Sequence, residues 1–118
     1  MDEDVYWVLE LAVEPPHWSD FSALMEEMVN AARGEAGTLN YEWNISAERT
    51  FCHVYVRYRN SIAVMLHMRA FGTRFSSRFM ALARITRMTV YGTPSQEVKQ
   101  ALVPYDPTYL APCGGFKR

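Results

Sequence analysis

Residues 37–59 read GTLNYEWNISAERTFCHVYVRYR and contain two alternating segments separated by a short polar turn. In the first segment, large apolar residues occupy every second position: Leu39, Tyr41, Trp43 and Ile45. The second segment has two faces, of which one carries Phe51, His53, Tyr55 and Arg57 and the other carries Cys52, Val54, Val56 and Tyr58. A two-residue period predicts β-strands, and the short connection predicts that they pair as an antiparallel hairpin.

The segment before the hairpin predicts one strand and one helix. Residues 5–13 alternate with one strongly apolar face, and Pro15 and Pro16 end this strand because proline cannot donate to a β-ladder. Ser19 is the predicted N-cap of the helix, and Gly34 is its predicted stop. The predicted buried stripe has helical spacing and consists of Phe21, Leu24, Met25, Met28 and Ala32.

The segment after the hairpin predicts two consecutive helices. Asn60 is the predicted N-cap of a helix that continues to about Phe71. This helix is apolar nearly all round, which predicts that it is buried on more than one side. Gly72 is expected to break it, and Thr73 is expected to cap the next helix.

The C-terminal part predicts a strand, a short helix and a tail. Residues 85–91 alternate and end at Gly92. The sequence Thr-Pro-Ser-Gln at 93–96 has the pattern of a capping box with proline at the first helical position, so we expect a helix to about Leu102. We therefore expect a domain over residues 1–103 and a tail over 104–118 that packs on this domain or on a partner subunit.

The order of elements, β-α-β-β-α-α-β followed by a helix and a tail, predicts an α+β fold. Two successive split β-α-β units form the ferredoxin-like arrangement, in which helices cover one face of an antiparallel sheet. The other face of the predicted sheet also carries large side chains, which need a cover. Two sheets that meet face to face would supply it, so we expect a homodimer that forms an α+β barrel.

Composition excludes several classes of protein. The chain has 118 residues and a net charge of −1, so it lacks the basic excess of a nucleic-acid-binding protein. No apolar run reaches the ~18 residues of a membrane helix, and the acidic start Asp2-Glu3-Asp4 is unlike a signal peptide. Cys52 and Cys113 lie far apart and form no zinc-binding pattern, so we expect free thiols in a cytoplasmic protein.

Three segments carry a resemblance to a known family: Gly-Thr-Leu-Asn-Tyr-Glu-Trp at 37–43, His-Val-Tyr-Val-Arg-Tyr at 53–58 and Leu-His-Met at 66–68. The chain resembles the antibiotic biosynthesis monooxygenase family over nearly its whole length, and the tail at 107–116 resembles a subgroup of small members. The resemblance implies a homodimeric α+β barrel. This chain departs from the family at Arg57-Tyr58, where many members have a Glu before the aromatic residue. No carboxylate base is therefore available at that position.

The resemblance implies a function but does not select one reaction. Some members of the family oxygenate phenols or quinols without flavin or metal, whereas others degrade haem or remove peroxides or signalling molecules. We expect a cofactor-independent monooxygenase that oxidises a small aromatic phenol or quinol with O₂ and needs no cofactor. A non-catalytic dimer that binds a small hydrophobic compound, and an isomerase or lyase on the same barrel, remain open alternatives.

Two histidines are the candidate bases. His53 lies in the middle of a predicted strand and would reach a cleft beside Tyr55 if its face of the strand points toward the helices. His67 lies in the apolar helix and matches a histidine of the family. Both also fit a structural role, and the three histidines have no metal-site spacing. The predicted substrate-binding residues are Tyr41, Trp43, Tyr55, Phe75 and Phe79.

Overall fold

A computed structural model describes residues 3–118 of the chain. Within this range the chain forms the following strands and α-helices: β1 (Val5–Val13), α1 (Trp18–Arg33), β2 (Thr38–Ile45), β3 (Phe51–Tyr58), α2 (Ser61–Arg74), α3 (Ser76–Leu82), β4 (Ala83–Gly92), α4 (Gln96–Leu102) and β5 (Thr108–Leu110). The sheet order is β2-β3-β1-β4-β5, and only β4 and β5 pair in parallel. The predicted α+β, ferredoxin-like fold is confirmed.

The register of the sheet determines which side chains face the helices. Trp7 of β1 pairs with Val56 of β3, which in turn pairs with Tyr41 of β2. Val56 and Trp7 are buried, and Tyr41 packs against the hydrophobic core. The core therefore lies between this side of the sheet and the helices.

A β-bulge interrupts β4 near its start. Glu10 pairs with Arg87 and Leu11 pairs with Ile85, so Thr86 is an extra residue in the ladder. The Thr86 hydroxyl donates a hydrogen bond to the Glu10 carbonyl at 3.1 Å. The prediction of uniform alternation along this strand is therefore wrong at Thr86. The bulge allows Ile85 to face the helices together with Met88 and Val90, the later core residues of β4.

Helix α1 buries most of the predicted stripe, but it begins two residues earlier than predicted. Phe21, Leu24, Met28 and Ala32 are buried, whereas Met25 is only partly buried. Residues 15–17 form a 3₁₀ turn that leads directly into Trp18, so Ser19 is not the N-cap. The proline pair explains this difference, because proline's fixed φ already suits a helical turn.

Helix α2 begins as predicted and ends later. The Asn60 side chain accepts a hydrogen bond from the Ala63 amide at 2.9 Å, which confirms the N-cap. Gly72 does not break the helix, and Thr73 is not a cap, because its hydroxyl donates to the Arg69 carbonyl one turn earlier. The helix continues to Arg74, and its separation from α3 occurs at Phe75.

The expectation that α2 is buried on more than one side is wrong for the single chain. Ala63 and Val64 are buried, but Ile62 is 72% exposed and Leu66 is 58% exposed. The outer side of α2 is therefore an apolar strip in contact with solvent.

The C-terminal elements close one edge of the sheet. Ser95, and not Thr93, caps α4, because the Ser95 hydroxyl accepts a hydrogen bond from the Val98 amide at 3.2 Å. After α4, residues Thr108–Leu110 pair with residues 89–91 of β4. The chain end then comes back to the sheet, where the Lys117 ammonium lies 2.8 Å from the Asp4 carboxylate.

The side of the sheet without helices, called here the open face, is rich in aromatic and polar side chains. The Tyr6 ring stacks on Tyr91 with centroids 5.0 Å apart and meets the edge of Tyr55 at 6.2 Å. Phe51 of the same side is an exposed aromatic residue. The Lys117 ammonium lies over the Tyr6 ring, 5.6 Å from its centroid, and the rest of this aromatic surface is left partly exposed by the single chain.

Candidate functional site

A central cavity of about 50 Å³ lies between the sheet and the helices. It is walled almost entirely by apolar and aromatic side chains, and His67 is the one His, Asp, Glu, Lys or Arg residue among the described residues that line it. Its lining residues are Trp7, Leu9, Met28, Tyr41, Trp43, Val54, Val56, His67, Met68, Phe71, Phe79, Ile85, Met88 and Tyr105.

The size of the central cavity limits what it holds without movement. A cavity needs roughly 10–15 Å³ to hold a water molecule, and an apolar cavity of about 150 Å³ binds benzene. At about 50 Å³ the cavity accommodates water-sized molecules or O₂. Three methionines, Met28, Met68 and Met88, lie in its wall, and their flexible thioether chains are the groups that can move to admit an aromatic ring.

His67 is held by a carboxylate. Its Nδ1 lies 2.8 Å from Oε1 of Glu35, and the Thr38 hydroxyl donates to the same oxygen at 2.8 Å. An ionised carboxylate only accepts hydrogen bonds, so the proton of this contact lies on Nδ1, and in a neutral imidazole Nε2 is then an acceptor. The Glu35–His67 pair therefore fixes the orientation of the imidazole, which is the arrangement that proton transfer at Nε2 would require.

The surroundings of the pair favour the carboxylate form of Glu35. Partial burial alone would raise the pKa of Glu35, but the hydrogen bond from His67, its charge and the hydrogen bond from Thr38 outweigh burial and lower the pKa. The side chains of His67 and Glu35 are only 12% and 21% exposed. The negative charge beside Nδ1 can thus stabilise a protonated imidazole after proton transfer.

Two tyrosines adjoin the imidazole. The rings of Tyr41 and Tyr58 lie 5.6 Å and 5.4 Å from the His67 ring, measured between centroids. Burial, together with the nearby Glu35, raises the pKa of both phenols. A hydrogen bond from Trp43 partly offsets this rise in the pKa of Tyr41. Both tyrosines are therefore neutral hydroxyl donors and not bases near neutral pH.

The structure brings four of the predicted site residues to the central cavity. His67, Tyr41, Trp43 and Phe79 all line it. Phe75 is buried and lines a smaller neighbouring cavity of about 10 Å³, which also contacts Glu35 and His67.

His53 and Tyr55 lie on the open face, away from the cavity. The condition attached to His53, that its face of β3 points toward the helices, is not met, because Cys52, Val54 and Val56 are the buried residues of this strand. The His53 side chain is 45% exposed, and its Nε2 lies 3.7 Å from a Glu10 carboxylate oxygen. His53 and Tyr55 therefore cannot act with His67 in the central cavity of the same chain.

Glu35 is the site residue that sequence reasoning missed. It lies between Gly34 and Gly37 in the loop that joins α1 to β2, 32 residues before His67. Its only sequence signal is a carboxylate between two glycines in a connecting loop. Within residues 3–118, no three His, Cys, Asp or Glu side chains come together as a metal-binding group. No helix in this range is long and apolar enough to cross a membrane.

Solved structures share this architecture. The chain superimposes on MupZ from Pseudomonas fluorescens with a TM-score of 0.88 at 20% identity, over 100% of this chain and 91% of MupZ. It superimposes on SnoaB, a cofactor-independent oxygenase from Streptomyces nogalater, with a TM-score of 0.66 at 9% identity, over 80% of this chain and 96% of SnoaB. The chain has the antibiotic biosynthesis monooxygenase fold.

A third structure agrees with this assignment of the fold. A Nitrosomonas europaea protein, provisionally assigned as an antibiotic biosynthesis monooxygenase, gives a TM-score of 0.67 at 13% identity, over 79% of this chain and 92% of that protein. The match to MupZ also includes β5 and the tail, since it covers the full chain. No protein-family profile matches the sequence, and no curated protein is significantly similar to it. At these identities the likeness concerns the fold and does not transfer an activity.

Proposed function

We propose that this protein oxidises a small phenol or quinol with O₂, without a cofactor, and that His67 is the base. The observation that carries the proposal is the Glu35–His67 pair at 2.8 Å in the wall of an aromatic-lined cavity. The fold shared with SnoaB, a cofactor-independent oxygenase, supports the same reaction class.

The proposed reaction begins with proton transfer from the substrate hydroxyl to Nε2 of His67. The resulting phenolate is electron-rich and transfers one electron to O₂, and the two radicals combine to form a carbon–oxygen bond at a ring carbon that carries hydrogen. The imidazolium of His67 returns its proton to the resulting peroxide anion, which restores the neutral base and gives a hydroperoxide. The ring carbon then loses its proton, the O–O bond breaks, and the released hydroxide takes up that proton and leaves as water to give a quinone. One oxygen atom enters the product and the other enters water, and the substrate supplies all four electrons.

The residues of the cavity have separate roles in this scheme. Glu35 fixes the tautomer of His67 and stabilises the imidazolium that proton transfer creates. The neutral hydroxyl of Tyr41 donates a hydrogen bond to the developing oxyanion. The surrounding rings and methionines exclude bulk water from the hydroperoxide.

Oxygen uptake tests the proposal. Flavin-free, chelator-treated protein is incubated with a panel of phenols and quinols, and the rate of uptake is compared for the wild type, His67→Gln and His53→Gln. We expect His67→Gln to lower the rate by about 10²–10⁴-fold, the range for loss of a general base. His53→Gln is the matched control and retains the rate, because His53 lies on the open face.

The alternatives give different results in the same assay. Substrate conversion without oxygen uptake would replace the proposal by an isomerase or lyase. Binding of panel compounds without conversion would replace it by a binding module. Equal rates for the wild type and His67→Gln would remove His67 as the base.

We also propose that the open face is covered by the same face of a second copy. Its support is the aromatic surface of Tyr6, Tyr55 and Phe51, which the single chain leaves partly exposed. Val8 lies at the middle of this face, between Tyr55 and Thr89. We expect Val8→Asp to convert a dimer to a monomer in light-scattering measurements, whereas Ile62→Asp on the outer side of α2 retains the dimer. A monomeric wild type, or a dimer lost only in Ile62→Asp, would contradict this proposal.

A further inference from the structure

A second, larger recess adjoins the central cavity at the edge of the sheet. It has a volume of about 430 Å³ and lies where β4 begins, beside the 3₁₀ turn that follows α4. Its walls are Met80, Ala83, Arg84, Ile85, Pro104 and Tyr105. Ile85 and Tyr105 also line the central cavity, so these two side chains form the boundary between the cavity and the recess.

The central cavity and the recess together outline an elongated site. The His67 ring lies beside Tyr41, which is level with Trp7 of β1 through the pairing of the strands. At the other end, Ile85 pairs with Leu11 of β1. Residues 7 and 11 are about 13 Å apart at ~3.3 Å per residue of a strand. A single aromatic ring beside His67 therefore does not reach the recess, whereas a ring with an extended chain does.

The chemistry of the recess points to an acidic group. Apart from Arg84 and the hydroxyl of Tyr105, its side chains are apolar, and Arg84 is the only charged residue among the described residues that line it. Within residues 3–118, the Arg84 side chain has no ion pair and no hydrogen bond. An unpaired guanidinium presents a planar fork of donors that matches a carboxylate.

We propose that the recess is a subsite for the acidic end of an elongated ligand whose phenol ring lies beside His67. The ligand class is a phenol or quinol with an extended apolar chain that ends in a carboxylate. The chain passes between Ile85 and Tyr105, and Arg84 binds the carboxylate in the recess. The inference rests on the proposed function for the position of the ring, but it concerns binding and is independent of turnover.

The test is anaerobic calorimetric titration with two acids and their primary amides. The long-chain acid is ω-(para-hydroxyphenyl)octanoic acid, the short-chain acid is para-hydroxyphenylacetic acid, and each amide has the shape of its acid without the charge. The ratio of acid affinity to amide affinity is measured for the wild type, Arg84→Gln, Arg84→Lys and Arg87→Gln. Arg87 is the matched control, because it is an exposed arginine of the same strand that does not line the recess.

The expected result depends on both the charge and the length of the ligand. For the long-chain pair, Arg84→Gln should lower the ratio by about 3–10-fold, between the effects of an exposed ion pair and of a hydrogen bond to a charged group. Arg84→Lys should keep part of the ratio, because it keeps the charge and loses the fork of donors. Arg87→Gln should leave the ratio unchanged. For the short-chain pair, all variants should match the wild type, because this acid does not reach from His67 to the recess.

Each other outcome overturns the inference. An equal ratio for the long-chain pair in the wild type and Arg84→Gln, or an equal fall in Arg87→Gln, shows that Arg84 is not the partner of the carboxylate. An equal fall for the short-chain pair shows that the acids bind at the surface without entering the cavity. Absence of binding by both long-chain compounds shows that the cavity and the recess do not form one site.

The subsite and the proposed reaction can fail separately, because oxygen is excluded from the titrations. A fall in the ratio in Arg84→Gln without any oxygen uptake in the separate assay would remove the reaction and retain the subsite. Oxygen uptake that is lost in His67→Gln, together with an unchanged ratio in Arg84→Gln, would retain the reaction and remove the subsite.

Discussion

The close contact between Gly37 and Ala63 gives a prediction that does not depend on any activity. A Cβ at residue 37 would overlap the Ala63 methyl group, which is buried in the first turn of α2. Gly37 also adjoins the site, because the loop before it carries Glu35. The Gly37 carbonyl accepts a hydrogen bond from the Arg59 amide at 2.8 Å. Gly37→Ala therefore forces the loop and α2 apart.

The expected magnitude follows from overpacking. Extra methyl groups in a packed interior cost about 1–3 kcal/mol. At about 2.1 cal/mol/K per residue, the unfolding entropy of 118 residues is about 0.25 kcal/mol/K, so this range lowers Tm by about 4–12 °C. Ala63→Gly alone costs about 1–2 kcal/mol, from lost methyl burial and helix propensity.

The double variant Gly37→Ala/Ala63→Gly is the decisive measurement. Each substitution relieves the defect of the other, since the new methyl group occupies the space left by the old one. Urea unfolding of the four proteins should give a favourable coupling of about 1–2 kcal/mol. Additive effects, with a coupling below about 0.5 kcal/mol, would refute the packing argument.

The remaining predictions concern the charge of Glu35, the N-cap of α2 at Asn60 and the turn at Gly92. The folded-state pKa of Glu35 lies below the ordinary value of 4.5, so the stabilising contribution of Glu35 is present above pH 4.5 and is lost as pH falls through the folded-state pKa. The difference in unfolding free energy between the wild type and Glu35→Gln should therefore shrink in that acid range in unfolding titrations. Asn60→Ala should lower the free energy of unfolding by about 1 kcal/mol in urea unfolding, and Asn60→Asp should retain most of it, because the cap to Ala63 needs only an acceptor. Gly92→Ala should lower Tm in thermal unfolding, because φ at Gly92 is +97° and its Cβ would meet the Asp4 carbonyl oxygen at 2.5 Å; an unchanged Tm would contradict the geometry of this turn.

The sequence predicts the order of the strands and helices because their periodicities are local. The alternation of residues 39–45 and 51–58 needs no knowledge of the rest of the chain, and the hairpin follows from it. Helix boundaries are less predictable. Ser19 has the side chain of an N-cap, but the geometry of the preceding prolines starts α1 before it.

The candidate site was predictable only in part. The sequence identifies His67 in the apolar helix and Tyr41 and Trp43 on the apolar side of β2, but it does not identify Tyr58, whose ring lies 5.4 Å from the His67 ring. It does not identify the inward face of β3, because Phe51 and Tyr55 on one side are as bulky as Val54 and Val56 on the other. Glu35 escapes prediction because a tertiary contact between a loop and α2 brings it to His67.

The central claim, cofactor-independent monooxygenation in the cavity beside His67, is tested most directly with ¹⁸O₂. Flavin-free, chelator-treated protein is incubated anaerobically with a phenol from the active part of the panel, ¹⁸O₂ is admitted, and the quinone is analysed by mass spectrometry. We expect one labelled oxygen atom per quinone, the second atom in water, and no label in the product of His67→Gln above the uncatalysed background. Unlabelled product accompanied by hydrogen peroxide, or labelling that is unchanged in His67→Gln, would contradict it.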